Sequence, residues 1–231
     1  MIKVLTIIPA RGGSKGIKNK NIQKINKYSL LEYAIRSSSN VKFNNEVAVS
    51  TDCTKVKKIC KKYQNVIVID RPKSLSTDDA SSESAVLHAL DYYNSKKNYY
   101  PDITIMRQCT SPFIFSNELN DAINYFKKNN YDSLFSAREY KHFLWDQKLN
   151  PVNHDSNHRL PRQKIKSSYF EEDGAFYIFK TKEFLKIKNR FFGNVGKFVT
   201  PEYKSIDIDE SHDLEYAKIL SLKVEIEDEF N

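Results

Sequence analysis

The sequence predicts a single α/β domain, a Rossmann-like three-layer αβα arrangement around a mainly parallel sheet, with one small element protruding from it. Three observations predict this. Short apolar runs alternate with stretches of helical period along most of the chain, the pattern of parallel βαβ units. The 231 residues suffice for one substantial core and are few for two ordinary domains. The regularity fails once, over 138–170, where aromatics, prolines and polar residues alternate without a helical stripe. A stretch that long is no simple connection in a compact domain, so it is read as an inserted lid or association segment within the 1–231 domain.

Each element has its own signal. The run Val4-Leu5-Thr6-Ile7-Ile8 makes a first strand over 2–8. Ser29-Leu30-Leu31-Glu32 spells a capping box, and Leu30, Leu31, Ala34 and Ile35 give its helix one apolar face. A strand over 46–50 follows, then a helix carrying Val56, Ile59, Cys60 and Tyr63, then a strand over 66–69 broken by Asp70-Arg71-Pro72. A polar loop over 73–79 leads to a helix with Ala85, Val86, Ala89, Leu90 and Tyr93 inward. Strand 102–106, a loop over 107–115, helix 116–128 and strand 132–137 complete the regular part. Beyond the insertion come a strand over 175–179, a short helix over 181–188, a last strand over 204–209, and a helix capped by Ser211. The acidic tail 225–231 is expected to fray.

Composition narrows the function classes. The net charge is +8 at 40% hydrophobic residues, an ordinary balance for a soluble protein with a basic surplus. The lysines are scattered, with no Lys/Arg block and no nucleic-acid-binding motif, so a small anionic substrate explains the charge equally well, and a basic nucleic-acid-binding protein is the remote alternative. Met1-Ile2-Lys3-Val4-Leu5 is too short an apolar run for a signal peptide, and no stretch approaches the roughly 20 apolar residues of a membrane span. Three cysteines form neither a metal pattern nor an even disulfide set. A cytoplasmic protein with reduced thiols and no membrane association is the expectation.

The chemistry is expected beyond the carboxyl ends of the strands, where open α/β sheets bind ligands. After the first strand, Arg11-Gly12-Gly13-Ser14-Lys15-Gly16 runs on to Lys18, Lys20 and Asn21. Flexible backbone N–H groups and fixed cations suit a polyphosphate, although neither the Gly-Lys-Ser/Thr ending of ATPase loops nor G-x-G-x-x-G is present. The alternative is a Gly-rich surface turn with solvated lysines. Arg11 and Lys15 would face the phosphates, and Asn21 can donate to a phosphate or ribose oxygen. Arg71, Gln108 and Thr110 follow the third and fourth strands into the same region. Asp79 or Ser81 can instead be read as a helix cap. In Ser205-Ile206-Asp207-Ile208-Asp209, alternation puts both isoleucines on one face and both carboxylates on the other. Two such carboxylates suit Mg²⁺, which binds mainly through substrate phosphates and keeps waters. Cys109 has no histidine partner to make it a nucleophile.

Taken in order, these motifs resemble the acylneuraminate cytidylyltransferases (the CMP-sialic acid synthetases). I-P-A-R-x-x-S-K-G followed by Lys20-Asn21 is similar to that family's nucleotide loop. Arg71-Pro72 with Leu75-Ser76-Thr77-Asp78-Asp79-Ala80-Ser81-Ser82 resembles the element that closes over cytosine and ribose. Gln108-Cys109-Thr110-Ser111-Pro112, Pro161-Arg162-Gln163, Gly174-Ala175-Phe176-Tyr177 and Ser205–Asp209 match further elements. The resemblance implies a nucleotide-diphospho-sugar transferase type of fold. It implies nucleotide binding by Arg11, Gly12, Ser14, Lys15, Lys20, Asn21, Arg71, Ala80 and Ser82. It implies a sugar pocket formed by Gln108, Thr110, Arg162, Tyr177, Phe191 and Phe192, with Mg²⁺ on Asp207 and Asp209. Lys15, Arg11, Asp207 and Asp209 would be catalytic in CMP transfer from CTP to a nine-carbon sugar acid. A homodimer joined through 138–170 is also implied. Arg107 and Cys109 depart from the pattern, and Asp173 replaces an asparagine, which leaves open a related sugar acid or another nucleotide such as GTP. Core packing is the alternative reading of the two phenylalanines.

Overall fold

A computed structural model describes residues 2–161, 164 and 169–222. Arg162 and the tail 225–231 therefore lie outside the described residues. A seven-stranded sheet runs in the order β5-β4-β1-β6-β8-β7-β9. Its strands are β1 (Lys3–Pro9), β4 (Asn44–Thr51), β5 (Val66–Asp70), β6 (Ile103–Arg107), β7 (Ser133–Glu139), β8 (Phe170–Lys180) and β9 (Val195–Val199). β8 is antiparallel to both its neighbours, and the other pairings are parallel. A two-stranded ribbon, β2 (Lys24–Ile25) and β3 (Tyr28–Ser29), precedes the first helix.

Strand alternation divides the core into two layers. Leu5 and Ile7 of β1 face α3 (Ser82–Lys97) and α5 (Thr181–Ile187), packing with Val86, Leu90, Tyr93 and Phe184. Val4 and Ile8 face the opposite layer. That layer holds α1 (Leu30–Ser39), α2 (Thr54–Cys60), α4 (Ser116–Lys128) and α6 (Ser211–Leu220). This is the three-layer αβα arrangement expected. The capping box of α1 forms as its sequence spells it, with Ser29 and Glu32 bonding each other's backbone N–H.

Two expectations about the C-terminal part are corrected. Residues 204–209 do not form a strand. The alternation is there, since Ile208 is buried and Ile206 packs against the same core, but no strand among the described residues pairs with it. A single backbone bond, Ile208 N–H to Thr110 O at 3.0 Å, ties the segment to the loop after β6. The last strand is instead β9, which the sequence obscures because it is an edge strand with Gly196 inside it and half-exposed side chains. Nor does Ser211 cap α6. It is the first helical residue, and Glu210 is the cap position, its N–H donating to the Asp213 carboxylate at 2.8 Å.

β7 runs to Glu139 and β8 starts at Phe170, so the described residues of the irregular segment are 140–161, 164 and 169. Ala137, Arg138 and Glu139 pair with Glu172, Glu171 and Phe170, so the segment leaves the sheet as an arm from a paired base. Just inside that base the register slips between Phe135 and Ala137, and β8 bulges over Asp173–Phe176.

Candidate active site

The loops after β1, β5 and β6, with the start of α3 and the Asp209–Glu210 turn, enclose a cleft of about 410 Å³. Arg11, Ser14, Lys15, Lys20, Asn21, Arg71, Ala80, Ser82, Gln108, Thr110 and Asp209 line it. Residues from five separate stretches of the sequence thus meet at the strand ends.

The first loop is held from several sides. Thr51 Oγ1 donates to Ala10 O at 2.6 Å, and Gly12 N–H donates to Asp52 at 2.9 Å. Gly12 faces Cys53 rather than the cleft. Asn21 is buried, and its amide donates to Arg11 O at 3.0 Å, so it fixes the loop backbone. At Gly16 the chain passes so close to the 209 region that a Cβ would lie 2.3 Å from the Asp209 carbonyl oxygen. The cations have carboxylate partners. Arg11 and Lys15 both meet Asp78, at 2.7 and 2.9 Å, and Lys20 meets Asp209 at 2.7 Å. Nothing in the sequence spacing alone pairs Asp78 with the loop.

Arg71 is buried and donates to Ser50 O at 2.6 Å, while its own N–H bonds Thr51 O. Burial lowers its pKa, with the Asp52 charge opposing. Ser81 caps α3 by accepting from Ser84 N–H, the helix-cap reading of that position. Ser82, the first helical residue, faces the cleft.

Arg107 does not reach the cleft. Its guanidinium is fully buried and donates to the carbonyls of Gln108, Ser111, Ile114 and Ala175, so it scaffolds the loop that carries Gln108 and Thr110. Burial lowers its pKa to about 10, which still leaves it protonated at neutral pH. Burial pushes the Cys109 thiol up to about 12, against the pull of Arg107, so it is no nucleophile.

The two carboxylates of the 205–209 segment point into adjoining spaces. Asp209 borders the nucleotide-sized cleft, and Asp207 borders a recess of about 380 Å³ beside it, with Asp173, Ser205 and Glu172. Crowding by surrounding protein raises the Asp207 carboxyl although solvent reaches it. Asp209 and Asp173 add to the rise, while the Thr110 hydroxyl and Lys20 oppose it. Gly174, in the left-handed region at φ +68°, makes room for it, since a Cβ there would lie 3.1 Å from Asp207 Oδ2. Two oxygen donors without histidine or thiolate fit Mg²⁺, which needs few protein ligands. Among the described residues no group of three or more metal-ligating side chains is present.

Asp173 is a buried hub. Ser136, Thr200 and the Ala175 N–H donate to its carboxylate, and Thr200 also bonds Ser205. It thereby ties β7 and β8 to the segment that carries Asp207. Of the predicted sugar-side aromatics, Tyr177 is buried with its hydroxyl on Glu172, and Arg190 lies 4.4 Å over its ring. Arg190 in turn pairs with Glu83 at 2.6 Å. Phe191 packs edge-on against Tyr177 and Phe135 and remains open to solvent. Phe192 sits in the core, its backbone bonded to Ser133, as the packing alternative has it. Arg190, Glu83 and Glu172 are further polar groups on this side that the motifs did not single out.

A profile of the cytidylyltransferase family matches residues 5–227. The chain is 32% identical over 224 residues to a pseudaminic acid cytidylyltransferase of Campylobacter jejuni, covering 95% of this chain and 96% of that protein. It is 30% identical over 227 residues to an N-acylneuraminate cytidylyltransferase of Escherichia coli, covering 96% of this chain and 52% of that one. Among solved structures, a CMP:2-keto-3-deoxy-manno-octonic acid synthetase complexed with CTP shares the fold at TM-score 0.67 and 16% identity. The match covers 96% of this chain and 99% of that one. A 4-diphosphocytidyl-2C-methyl-D-erythritol synthase does so at TM-score 0.68 and 10% identity, covering 95% and 99%. With a family profile spanning nearly the whole chain and cations gathered at the strand ends, the chain belongs to the cytidylyltransferases and is a nucleotidyltransferase enzyme.

Proposed function

We propose that this enzyme transfers CMP from CTP to the anomeric 2-hydroxyl of a nine-carbon, sialic-acid-like sugar acid and releases pyrophosphate. The observation that carries the reading is the convergence of Arg11, Lys15, Lys20, Arg71 and Gln108 with Asp209 around one cleft, Asp207 adjoining. Its relatives include proteins named for pseudaminic acid, N-acylneuraminate and N,N'-diacetyllegionaminic acid, all sugar acids of this class.

In the reaction the sugar hydroxyl oxygen forms a bond to the α-phosphorus as the bond from that phosphorus to the bridging oxygen breaks. The hydroxyl proton passes to solvent water, and pyrophosphate leaves with the electron pair of the broken bond. No covalent enzyme intermediate is needed, so catalysis consists of alignment and charge neutralisation. Arg11 and Lys15 neutralise the departing pyrophosphate. Arg71, anchored on Ser50, and the Ala80–Ser82 turn position the nucleoside, while Gln108 and Thr110 face the acceptor. Tyr177 is buried and neither it nor Phe191 lines the cleft or the recess, so no acceptor contact is assigned to them. Asp207 and Asp209 would hold Mg²⁺, which when bound neutralises phosphate charge and acidifies the attacking hydroxyl. We propose further that the protein works as a homodimer, its 140–169 arm meeting a second copy.

A panel of sugar acids with CTP or GTP and Mg²⁺, read by mass spectrometry, tests the reading. A CMP adduct of a nonulosonic acid is the expected product. An adduct formed only with an eight-carbon acid, or only from GTP, would replace it.

A further inference from the structure

The acid that meets the loop cations lies on a strap with little else to hold it. Residues 72–80 join Arg71 to α3, and both ends are fixed, Arg71 on Ser50 and Ser81 as helix cap. In between, the backbone bonds are internal: Leu75 N–H to Pro72 O, Ser76 N–H to Lys73 O, and Ala80 N–H to Thr77 O. Asp78 reaches outward from it. One of its oxygens accepts from Arg11 Nη1 at 2.7 Å, and the other lies 2.9 Å from Lys15 Nζ. A single carboxylate thus spans the two cations that the proposed reaction assigns to phosphate.

We infer that Asp78 is an internal counter-anion, latching the strap to the phosphate loop in the empty enzyme and exchanged for substrate phosphate when nucleotide binds. The inference rests on the reading of Arg11 and Lys15 as phosphate ligands. Donors committed to a carboxylate cannot serve a phosphate in the same geometry, so the two anions compete. The triphosphate carries several charges against one and displaces the acid. All three side chains are partly open to water, Lys15 at 77%, so the latch is weak and screened by salt. A latch of that strength leaves a minor but appreciable open fraction, and the apparent affinity for polyphosphate is reduced by that fraction. Releasing the latch also frees the strap to settle over the bound nucleoside.

The test is calorimetric titration of CTP and of inorganic pyrophosphate into the full-length protein, unaltered and as D78N and D78E. D78N keeps the shape and removes the charge. It is expected to bind both ligands about three- to tenfold tighter, with the gap narrowing as salt is raised. D78E, which keeps the charge, should stay near the unaltered protein, and the KM for sugar acid should not move. A merely structural role for Asp78 would not tighten polyphosphate binding selectively. Equal or weaker binding by D78N overturns the latch and leaves the cations as phosphate ligands. Failure of the unaltered protein to bind CTP would instead overturn the reading of the cleft, and the latch with it.

Discussion

At the scale of single residues, the least expected side chain is Arg107. A fully buried guanidinium ordinarily needs a carboxylate, yet here four backbone carbonyls accept hydrogen bonds from its two terminal nitrogens, Nε has no partner, and no ion pair at this position is seen among the described residues. Those carbonyls belong to the turn that presents Gln108 and Thr110 and to Ala175 in the bulge of β8. Removing the guanidinium strands them without donors in a buried place, at a cost of about 1–3 kcal/mol for each one not rescued by water. R107M, which keeps the stem, is expected to lower stability by roughly 3–5 kcal/mol in urea denaturation, because some but not all of the carbonyls find water. R107K, with a compact three-donor head, should lie between. An unchanged urea midpoint for R107M would show that the turn stands without it.

At the scale of elements, the site depends on how closely the first loop passes the 205–209 segment. Gly16 is the contact point, where a Cβ would come within 2.3 Å of a backbone oxygen that cannot rotate away. G16A must therefore shift either the loop or Asp209, and with it the Lys20–Asp209 pair. A displacement near 1 Å in a positioning element costs on the order of a hundredfold in rate. We expect kcat/KM for CTP to fall about 10- to 100-fold in G16A, with a melting temperature within a few degrees of the unaltered protein. Gly13 provides the control, since a Cβ there meets nothing within 4 Å and G13A should be nearly silent. The same pair of elements shows what is legible in a sequence. β1, α1 and the loop between them follow from apolar runs, a capping box and glycines, all local signals. The two-faced character of 205–209 is local too, and Ile208 inside with Asp207 and Asp209 outside agrees with it. Whether that segment finds a strand partner is not local, so alternation alone predicts a strand there and gives no signal for β9, which has a glycine inside it. Contacts across long separations were equally hidden. Asp78 reaches residues 63 and 67 positions earlier, and Asp173 is tied to Ser136 and Thr200.

At the scale of the whole molecule, the arm of 140–169 is the part that a lone chain explains least. It is internally braced, with Asp146 accepting from the N–H groups of Lys148 and Asn150 and Val152 N–H bonding Leu144 O. Yet Trp145, Leu149 and Val152 are 49%, 77% and 46% exposed along it. A braced segment that shows several apolar side chains to water suits an interface, because single exposed hydrophobics are common but a run of them on one segment is not. Its base adjoins Asp173 and Asp207 through the pairing of Ala137 with Glu172, so a second copy meeting the arm would stand next to the acceptor side. Light scattering is expected to give twice the chain mass at micromolar concentration. W145D combined with L149D puts two charges where apolar contact is needed and should give the single-chain mass. Because neither side chain lies in the main core, the melting transition of the separated chains should persist, and activity should fall through the acceptor KM before the KM for CTP. A monomer of full activity from the unaltered chain would refute the dimer, and a dimer that survives both charges would move the interface off the arm.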